Sequence, residues 1–238
     1  MAQNSLKKVN SLLKFILVCF WCTFFKILCK IFFDLKIEGK ENIPENGPLI
    51  IVANHQNFAD GVLITNLFPY SQRVKFIISK RVFSNPLCKH LAEITEAPIS
   101  TNSIEESSGA LLKLKSRIKE NGIVGIFPEG DISSKSIPRK FKPGAAKLAI
   151  ETKASILPIY INGTYELRKI NNWFKKSKMI LRIGKTIHSS EYSDLSVEDL
   201  TNLIRRQIID LGNVNEIKVI DGSQHSLPEP TSTKSISY

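Results

Sequence analysis

The chain has 238 residues, which is enough for one large α/β domain and too few for two full-sized domains. Apolar residues make up 42% and charged residues 23%, which excludes a wholly disordered or collagen-like chain. With 33 Lys and Arg against 22 Asp and Glu, the net charge of +11 predicts a polyanionic partner, such as an anionic membrane, a nucleic acid or a phosphate-bearing substrate. Four cysteines over this length do not form a disulfide scaffold.

The first 34 residues differ from the rest of the chain. Between Leu12 and Phe33 large apolar side chains dominate, interrupted by three lysines, and the longest uncharged run, Phe15 to Phe25, has 11 residues. A helix that crosses a bilayer needs roughly 20. We therefore predict that residues 1–34 form a helical anchor in one membrane leaflet, with the lysines reaching the headgroups. A buried amphipathic core helix and a single tilted span are the alternatives.

Residues 35–219 alternate between short apolar runs and amphipathic stretches, which predicts one α/β domain. Runs that are apolar on both faces are typical of strands covered on both sides, so we expect a mixed, largely parallel sheet covered by helices. The remaining residues, 220–238, are rich in Ser, Thr and Pro and are predicted to be a disordered tail. The predicted strands are 48–53, 74–79, 123–127, 155–161 and 179–183, and the predicted helices are 103–121, 144–152 and 196–211, with capping boxes at Ser103/Glu106 and Ser196/Asp199.

A histidine and an aspartate follow the first of these strands. The loop after Ala53 reads Asn-His-Gln-Asn-Phe-Ala-Asp, with His55 five positions before Asp60. On one continuous helix these side chains would lie about 140° apart, but with His55 in a loop and Asp60 in the first helical turn the carboxylate can reach the ring. A histidine held in this way is suited to accept a proton near neutral pH. The alternative is that Asp60 only caps the helix and His55 is an incidental loop residue.

A second motif, Phe-Pro-Glu-Gly, occupies residues 127–130, where another predicted strand ends. Proline fixes the exit from the strand, and glycine lets backbone N–H groups approach an anionic ligand. We predict a pocket for a hydroxyl and a phosphate, although an ordinary turn followed by a solvated basic loop fits the same pattern. The basic residues that follow are Lys135, Arg139, Lys140 and Lys142.

Asn-His-x4-Asp and Phe-Pro-Glu-Gly, each closing an apolar strand, together resemble the glycerolipid acyltransferase family typified by 1-acyl-glycerol-3-phosphate acyltransferase. The resemblance runs from about Ile37 to Arg182 and includes the blocks at 76–80, 141–146 and 156–159. It implies that His55 and Asp60 are catalytic. The substrate-binding residues that it implies are Asn54, Lys80, Phe127, Pro128, Glu129, Gly130 and Lys142. No metal site is expected, because the four histidines, at positions 55, 90, 188 and 225, pair with no cysteine or carboxylate at ligand spacing.

Two positions depart from the family pattern. Ile132 and Thr101 stand where the resemblance leads us to expect arginines. The resemblance implies that those arginines contact phosphate, because a guanidinium donates to phosphate with two parallel hydrogen bonds. Lys80 and Lys142 are the preferred replacements, since both match the family pattern, with Arg139 and Lys140 as further candidates. The headgroup of the acceptor therefore stays open.

The resemblance implies an O-acyltransferase of phospholipid biosynthesis. Such an enzyme moves a fatty acyl chain from acyl-CoA or acyl-acyl carrier protein to a hydroxyl of lysophosphatidic acid or a related lysolipid, without a cofactor. We expect anionic membrane lipids, the lysolipid and, with that donor, acyl carrier protein as partners, at the cytoplasmic face of a membrane. The alternatives are a catalytically inactive or non-phosphate-acceptor membrane protein of the same fold, and a nucleic-acid binder that would use the basic residues around Trp173 and Phe174.

Overall fold

The computed structural model describes residues 33–69, 72, 74–79, 99–100, 104–133, 138–168 and 177–213, together with five helical positions at residues 16, 20, 23, 24 and 27. Several predicted features lie outside the described residues. These are most of the N-terminal anchor, Lys80, Thr101, the cap at Ser103, the basic and aromatic stretch around Trp173, and the tail 220–238.

Strands and helices alternate through the body of the chain, as the sequence predicts. The strands are β1 (Phe33–Glu38), β2 (Leu49–Ala53), β3 (Val74–Phe76), β4 (Ile78–Ser79), β5 (Ile99–Ser100), β6 (Ile123–Ile126), β7 (Ser155–Asn162) and β8 (Ser177–Ile183). The helices are α1 (Ala59–Thr65), α2 (Ile104–Lys119), α3 (Gly144–Thr152) and α4 (Val197–Asn213). Short 3-10 helices cover Lys40–Asn42, Thr164–Arg168 and Ser189–Glu191.

Six of the described strands form one sheet with the order β1-β8-β7-β2-β6-β3. Neighbouring strands are parallel except β7 and β8, which run antiparallel. The two short strands β4 and β5 pair with each other outside this sheet. The predicted α/β fold with a mixed, largely parallel sheet is therefore confirmed.

β2 lies inside the sheet and is buried along its whole length. Because successive side chains of a strand point to opposite faces, Ile50 and Val52 pack on one face and Leu49 and Ile51 on the other. Helices α2, α3 and α4 cover the first face, and α1 covers the second. An uninterrupted apolar run is the pattern that a strand covered on both faces requires.

The structure differs from the prediction at two strands. The predicted strand 74–79 is divided, because β3 pairs with β6 only as far as Phe76 and the chain then leaves the sheet to form β4. Hydropathy marks residues 74–79 as buried but does not say which strand each residue pairs with. β1 was not predicted, although its sequence alternates between polar and apolar residues, because it directly follows the apolar N-terminal segment. Its first two residues, Phe33 and Asp34, fall within the predicted anchor.

The last helix is held at both ends by side chains. The Ser196 hydroxyl accepts a hydrogen bond from the Asp199 N–H at 3.1 Å, which confirms the predicted N-terminal cap. At the other end the buried guanidinium of Arg182 donates to the carbonyls of Leu211 and Gly212 at 2.9 and 3.1 Å. Arg182 also pairs with Glu38 at 3.0 Å, so β8 and β1 both support the end of α4.

Candidate active site

Three neighbouring strands end at the same edge of the sheet. β7, β2 and β6 lie side by side and are parallel, and their carboxyl ends are Asn162, Ala53 and Ile126. In an open α/β sheet the loops that leave this edge form the ligand-binding crevice. The two predicted motifs are the loops after β2 and β6, so the topology brings them together.

Asp60 lies in the first turn of α1, fully buried, and its carboxylate holds the ring of His55. Asp60 Oδ2 accepts hydrogen bonds from His55 Nδ1 at 2.9 Å, from the Gln56 N–H at 2.7 Å and from the Asn57 N–H at 2.8 Å. Because a carboxylate only accepts hydrogen bonds, Nδ1 carries the proton and Nε2 of the neutral ring keeps its lone pair. The predicted contact between His55 and Asp60 is confirmed.

The alternative role of Asp60, as a helix cap only, does not fit these contacts. Asn57 Oδ1 accepts a hydrogen bond from the Ala59 N–H at 3.1 Å, so Asn57 satisfies a free donor at the start of α1. Asp60 instead bonds backward to residues 55–57, which precede the helix. The loop from His55 to Asn57 is thereby wrapped around a single carboxylate oxygen.

Glu129 joins the His55 loop to a second loop. Its Oε1 accepts from the His55 N–H at 3.0 Å and its Oε2 accepts from the Arg139 N–H at 3.0 Å. The Ser133 N–H donates to the His55 carbonyl at 2.7 Å, so both backbone polar groups of His55 are bonded to the segment after β6. The Glu129 side chain is only 1% exposed. We expected Glu129 to bind substrate, but its present contacts are with protein donors, and these hold the two loops in register.

One face of the His55 ring is covered by an aromatic side chain. The rings of His55 and Phe127 stack with centroids 4.0 Å apart and planes 13° apart, and Phe76 stacks on Phe127 at 5.4 Å. Gly125 makes room for this arrangement, because a Cβ built on it would lie 2.1 Å from the Phe76 ring. Phe127 therefore contacts the candidate catalytic ring itself.

The side chain of Asn54 hydrogen-bonds to the backbone of the neighbouring strand β7. The residue is buried, its Nδ2 donates to the Ile161 carbonyl at 2.7 Å, and its Oδ1 accepts from the Ile161 N–H at 2.7 Å. The side-chain amide thus continues the β2–β7 pairing one residue past the end of β2. Asn54 was predicted to bind substrate, whereas these contacts position the start of the His55 loop.

The remaining predicted residues lie on the turn after β6 and the loop that follows it. The buried Pro128 accepts at its carbonyl from the Lys142 N–H at 2.8 Å, and Gly130 has a φ of 73°, which favours glycine. A Cβ built on Gly130 would lie 2.5 Å from Lys142 Nζ, so the lysine side chain passes directly over this glycine. Lys80, the other predicted cation, lies outside the described residues.

Two features of the site were not predicted. Arg139 lies 3.8 Å from Glu129 through its Nε, and Arg205, on α4, donates to the carbonyls of Pro138 and Arg139. No local pattern marks Arg205, because it reaches the site only through the packing of α4. The described residues contain no group of three or more histidine, cysteine and carboxylate side chains that could hold a metal ion.

Fold and site define a class of α/β enzyme in which a histidine–aspartate pair follows a buried parallel strand, at the carboxyl end of the sheet. The chain belongs to the Acyltransferase family, whose model matches residues 34–162. The family resemblance that the two motifs carry is thereby confirmed, and the protein is an acyltransferase.

Known proteins similar to this chain include two bacterial 1-acyl-sn-glycerol-3-phosphate acyltransferases. The Bacillus subtilis protein is 28% identical over 195 residues, which cover 79% of this chain and 93% of that protein. The Borreliella burgdorferi protein is 29% identical over 182 residues, which cover 73% and 69%. Among solved structures, the 1-acyl-sn-glycerophosphate (LPA) acyltransferase PlsC from Thermotoga maritima superposes with a TM-score of 0.62 at 25% identity, covering 82% of this chain and 76% of that chain.

Proposed function

We propose that this acyltransferase moves a fatty acyl chain from an acyl thioester, either acyl-CoA or acyl-acyl carrier protein, to the hydroxyl of lysophosphatidic acid. The observation that carries the proposal is the His55–Asp60 contact at 2.9 Å, in which a buried carboxylate orients an imidazole at the edge of the sheet. Similarity to proteins named 1-acyl-sn-glycerol-3-phosphate acyltransferases supports the choice of acceptor.

The chemistry follows from the orientation of the ring. His55 Nε2 accepts the proton of the acceptor hydroxyl while the oxygen attacks the thioester carbonyl, and Asp60 stabilises the imidazolium that forms. As the tetrahedral intermediate collapses, the carbon–sulfur bond breaks, and the leaving thiolate takes from the imidazolium the proton that the acceptor hydroxyl gave up. An ester and a free thiol are the products, and the transfer needs no covalent enzyme intermediate and no cofactor.

The direct test is turnover by the purified full-length chain. Each labelled donor is offered with lysophosphatidic acid, other lysolipids, glycerol phosphates and monoacylglycerol as acceptors. We expect acylation of lysophosphatidic acid and a loss of roughly 10²–10⁴-fold in kcat for His55→Ala. Full turnover by His55→Ala in a correctly folded protein would exclude the general-base role, and activity confined to acceptors without a phosphate monoester would exclude the proposed acceptor.

We also propose that the N-terminal segment attaches the enzyme to the cytoplasmic face of a membrane, where its lipid acceptor resides. The described positions of that segment are helical, and four of them are exposed apolar residues at helical spacing, namely Ile16, Phe20, Phe24 and Ile27. Among the described residues, no helix combines the length and the apolar character needed to cross a bilayer. An apolar face of this kind supports insertion into one leaflet, with basic residues adding attraction to anionic lipids.

Membrane attachment is tested by flotation with vesicles that contain anionic lipids. Changing Phe20 and Phe24 together to serine removes apolar area worth several kcal/mol, whereas a single charge reversal removes only about 1 kcal/mol. We therefore expect the double variant to stay with the soluble fraction and a single Lys26→Glu variant to float almost normally. Release of the intact protein by high salt alone would show that the attachment is electrostatic and would overturn the insertion model.

A further inference from the structure

The loop at residues 138–142 brings two cations to the turn after β6. The Arg139 N–H donates to Glu129 Oε2 at 3.0 Å, and the Lys142 N–H donates to the Pro128 carbonyl at 2.8 Å. The loop is therefore bonded to the turn near both of its ends. As a result, both cationic side chains start beside the same three residues, Pro128 to Gly130.

The guanidinium of Arg139 makes one hydrogen bond to the protein and keeps donors available. One terminal nitrogen donates to the Ile132 carbonyl at 2.7 Å, and Nε faces Glu129 Oε2 at 3.8 Å. A guanidinium has five N–H groups, so three remain for a ligand once these two are assigned among the described residues. The side chain is 47% exposed. From α4, Arg205 donates to the carbonyls of Pro138 and Arg139 at 2.9 Å each and holds the backbone of this loop.

Lys142 supplies a second positive charge on the same side of the turn. Its side chain crosses Gly130, where a Cβ would lie 2.5 Å from Nζ and 2.7 Å from Cε. Only glycine leaves space for the lysine in this position. The ammonium group has no ion pair among the described residues, and the residue is exposed.

The Glu129 carboxylate links the loop that carries Arg139 to the backbone of the candidate catalytic histidine. Glu129 accepts from the His55 N–H with one oxygen and from the Arg139 N–H with the other, so one carboxylate separates the two sites. The glycerol of lysophosphatidic acid likewise carries a hydroxyl and a phosphate close together. Arg139 Nε lies 3.8 Å from Glu129 Oε2, and Lys142 adds a positive charge that has no ion pair among the described residues.

We propose that Arg139 and Lys142 form the binding site for the phosphate of the acceptor, and that Arg139 determines the preference for a phosphate monoester; this rests on the function proposed above. A guanidinium binds two phosphate oxygens at once, and an ammonium adds a point charge. The sequence favoured Lys80 and Lys142 as replacements for the missing arginines. The structure assigns the larger role to Arg139, because its guanidinium contacts the carbonyl of Ile132, the position at which an arginine was expected.

The test is a kinetic comparison of Arg139→Gln with the wild type at a saturating concentration of the acyl donor. Losing a hydrogen-bonded charge partner should raise KM for lysophosphatidic acid about 10–100-fold, with kcat changed less than about 3-fold. KM for the donor and the rate with monoacylglycerol should stay the same. Lys147→Gln, an exposed lysine on α3, is the matched control for loss of one positive charge.

A rescue variant distinguishes a specific phosphate site from a general effect of positive charge on the binding of the acceptor. Ile132→Arg in the Arg139→Gln background returns a guanidinium to the same loop, at the position where an arginine was expected, and should recover most of the lost affinity for lysophosphatidic acid. Equal effects of Arg139→Gln and Lys147→Gln would overturn the proposal. So would a change confined to KM for acyl-CoA, which would assign the cations to a phosphate of the donor.

Failure of the proposed function is distinguishable from failure of this site. If the wild type acylates lysophosphatidic acid and Arg139→Gln leaves its KM unchanged, the phosphate site is wrong and the function stands. If the wild type does not acylate lysophosphatidic acid, the function is wrong, and titration calorimetry with glycerol 3-phosphate tests the site by itself. Binding that is lost in Arg139→Gln supports the site, and absence of binding to the wild type overturns it.

Discussion

The imidazole of His55 lies almost flat on the ring of Phe127, with centroids 4.0 Å apart and planes at 13°. Asp60 holds the edge of the same imidazole at Nδ1, so one contact at its edge and one at its face define its orientation. An edge contact alone allows the ring to tilt about the hydrogen bond. A face contact prevents that tilt and keeps Nε2 directed along one line, which is what transfer of a proton from a bound hydroxyl requires.

Phe127→Leu tests whether the stack acts on catalysis. An aromatic pair contributes about 0.5–1.5 kcal/mol beyond its buried area, so losing it from the reactive geometry should lower kcat roughly 3–10-fold. KM for the acceptor should change little. Phe68→Leu, at a buried phenylalanine of the same core face, is the matched control for lost packing. Equal losses of kcat in the two variants would mean that the stack serves packing alone.

Asp60→Asn tests the charge on the buried carboxylate. The amide oxygen can still accept from the backbone N–H groups of Gln56 and Asn57, so the loop should keep its shape. The imidazolium formed during transfer loses its counter-charge, and kcat should fall roughly 10²–10⁴-fold while the fold, followed by circular dichroism, is retained.

Combining Asp60→Asn with His55→Ala in one protein tests whether the two residues act as a catalytic pair or independently. Residues that act as a unit give non-additive losses, so the double variant should be little worse than either single variant. If the fold-losses in kcat of the two single variants multiply in the double variant, Asp60 acts through something other than His55.

Sequence patterns predicted most of the sheet, because its inner strands are buried on both faces and read as uninterrupted apolar runs. β2 and β6 are such strands, and their ends locate the two motifs. The two outermost strands of the sheet, β1 and β3, were harder to predict. β3 stops pairing at Phe76 although the apolar run continues, and β1 adjoins an apolar segment that masks its alternation.

The site shows a similar division between what sequence does and does not reveal. His55 and Asp60 are close in sequence, so turn geometry alone predicted their contact. The roles of Asn54 and Glu129 depend on Ile161 and Arg139, which reach them only through the fold. A polar residue beside a motif has the same appearance in sequence whether it binds a ligand or holds a neighbouring loop. The contacts of its side chain distinguish the two cases.

The pairing of Glu38 predicts a pH dependence of stability. Hydrogen bonding from Lys36, with a smaller contribution from Arg182 and some opposition from burial, holds the pKa of Glu38 below its ordinary value of 4.5. A carboxyl whose pKa is lowered on folding stabilises the protein above its unfolded pKa and loses this contribution as the pH falls through the folded value. Glu38→Gln should therefore lower the free energy of unfolding at neutral pH, and the difference from wild type should shrink on acidification.

Urea unfolding at neutral pH and at about pH 3 measures this difference. Glu41→Gln is the matched control, because Glu41 is exposed and has no ion pair among the described residues. A difference between Glu38→Gln and wild type that stays constant with pH would show that the glutamate contributes through packing and not through its charge.

Glu129→Gln distinguishes a residue that holds loops from one that binds substrate. Each carboxylate oxygen accepts from a different backbone N–H, one on His55 and one on Arg139. Glutamine has only one acceptor oxygen, so its NH2 group must face one of the two N–H donors, and one loop loses its anchor. Loss of a hydrogen bond to a charged group costs about 1.5–3 kcal/mol. We expect a lower unfolding temperature, a kcat reduced roughly 10-fold or more because the His55 backbone shifts, and a raised KM for lysophosphatidic acid because the Arg139 loop shifts.

A lower unfolding temperature, a lower kcat and a raised KM, if they occur together in Glu129→Gln, identify the role of Glu129. Arg139→Gln keeps the backbone N–H that bonds Glu129, so it should raise KM without lowering kcat or the unfolding temperature to the same degree. A glutamate that contacted the acceptor directly would, on replacement by glutamine, change KM alone and leave thermal stability intact. Its side chain is 1% exposed and both of its oxygens already have donors, which leaves no oxygen directed at a ligand unless the two loops separate. Calorimetric unfolding, measured beside the kinetics on the same preparations, therefore decides between a glutamate that joins the catalytic loop to the cationic loop and one that binds the acceptor.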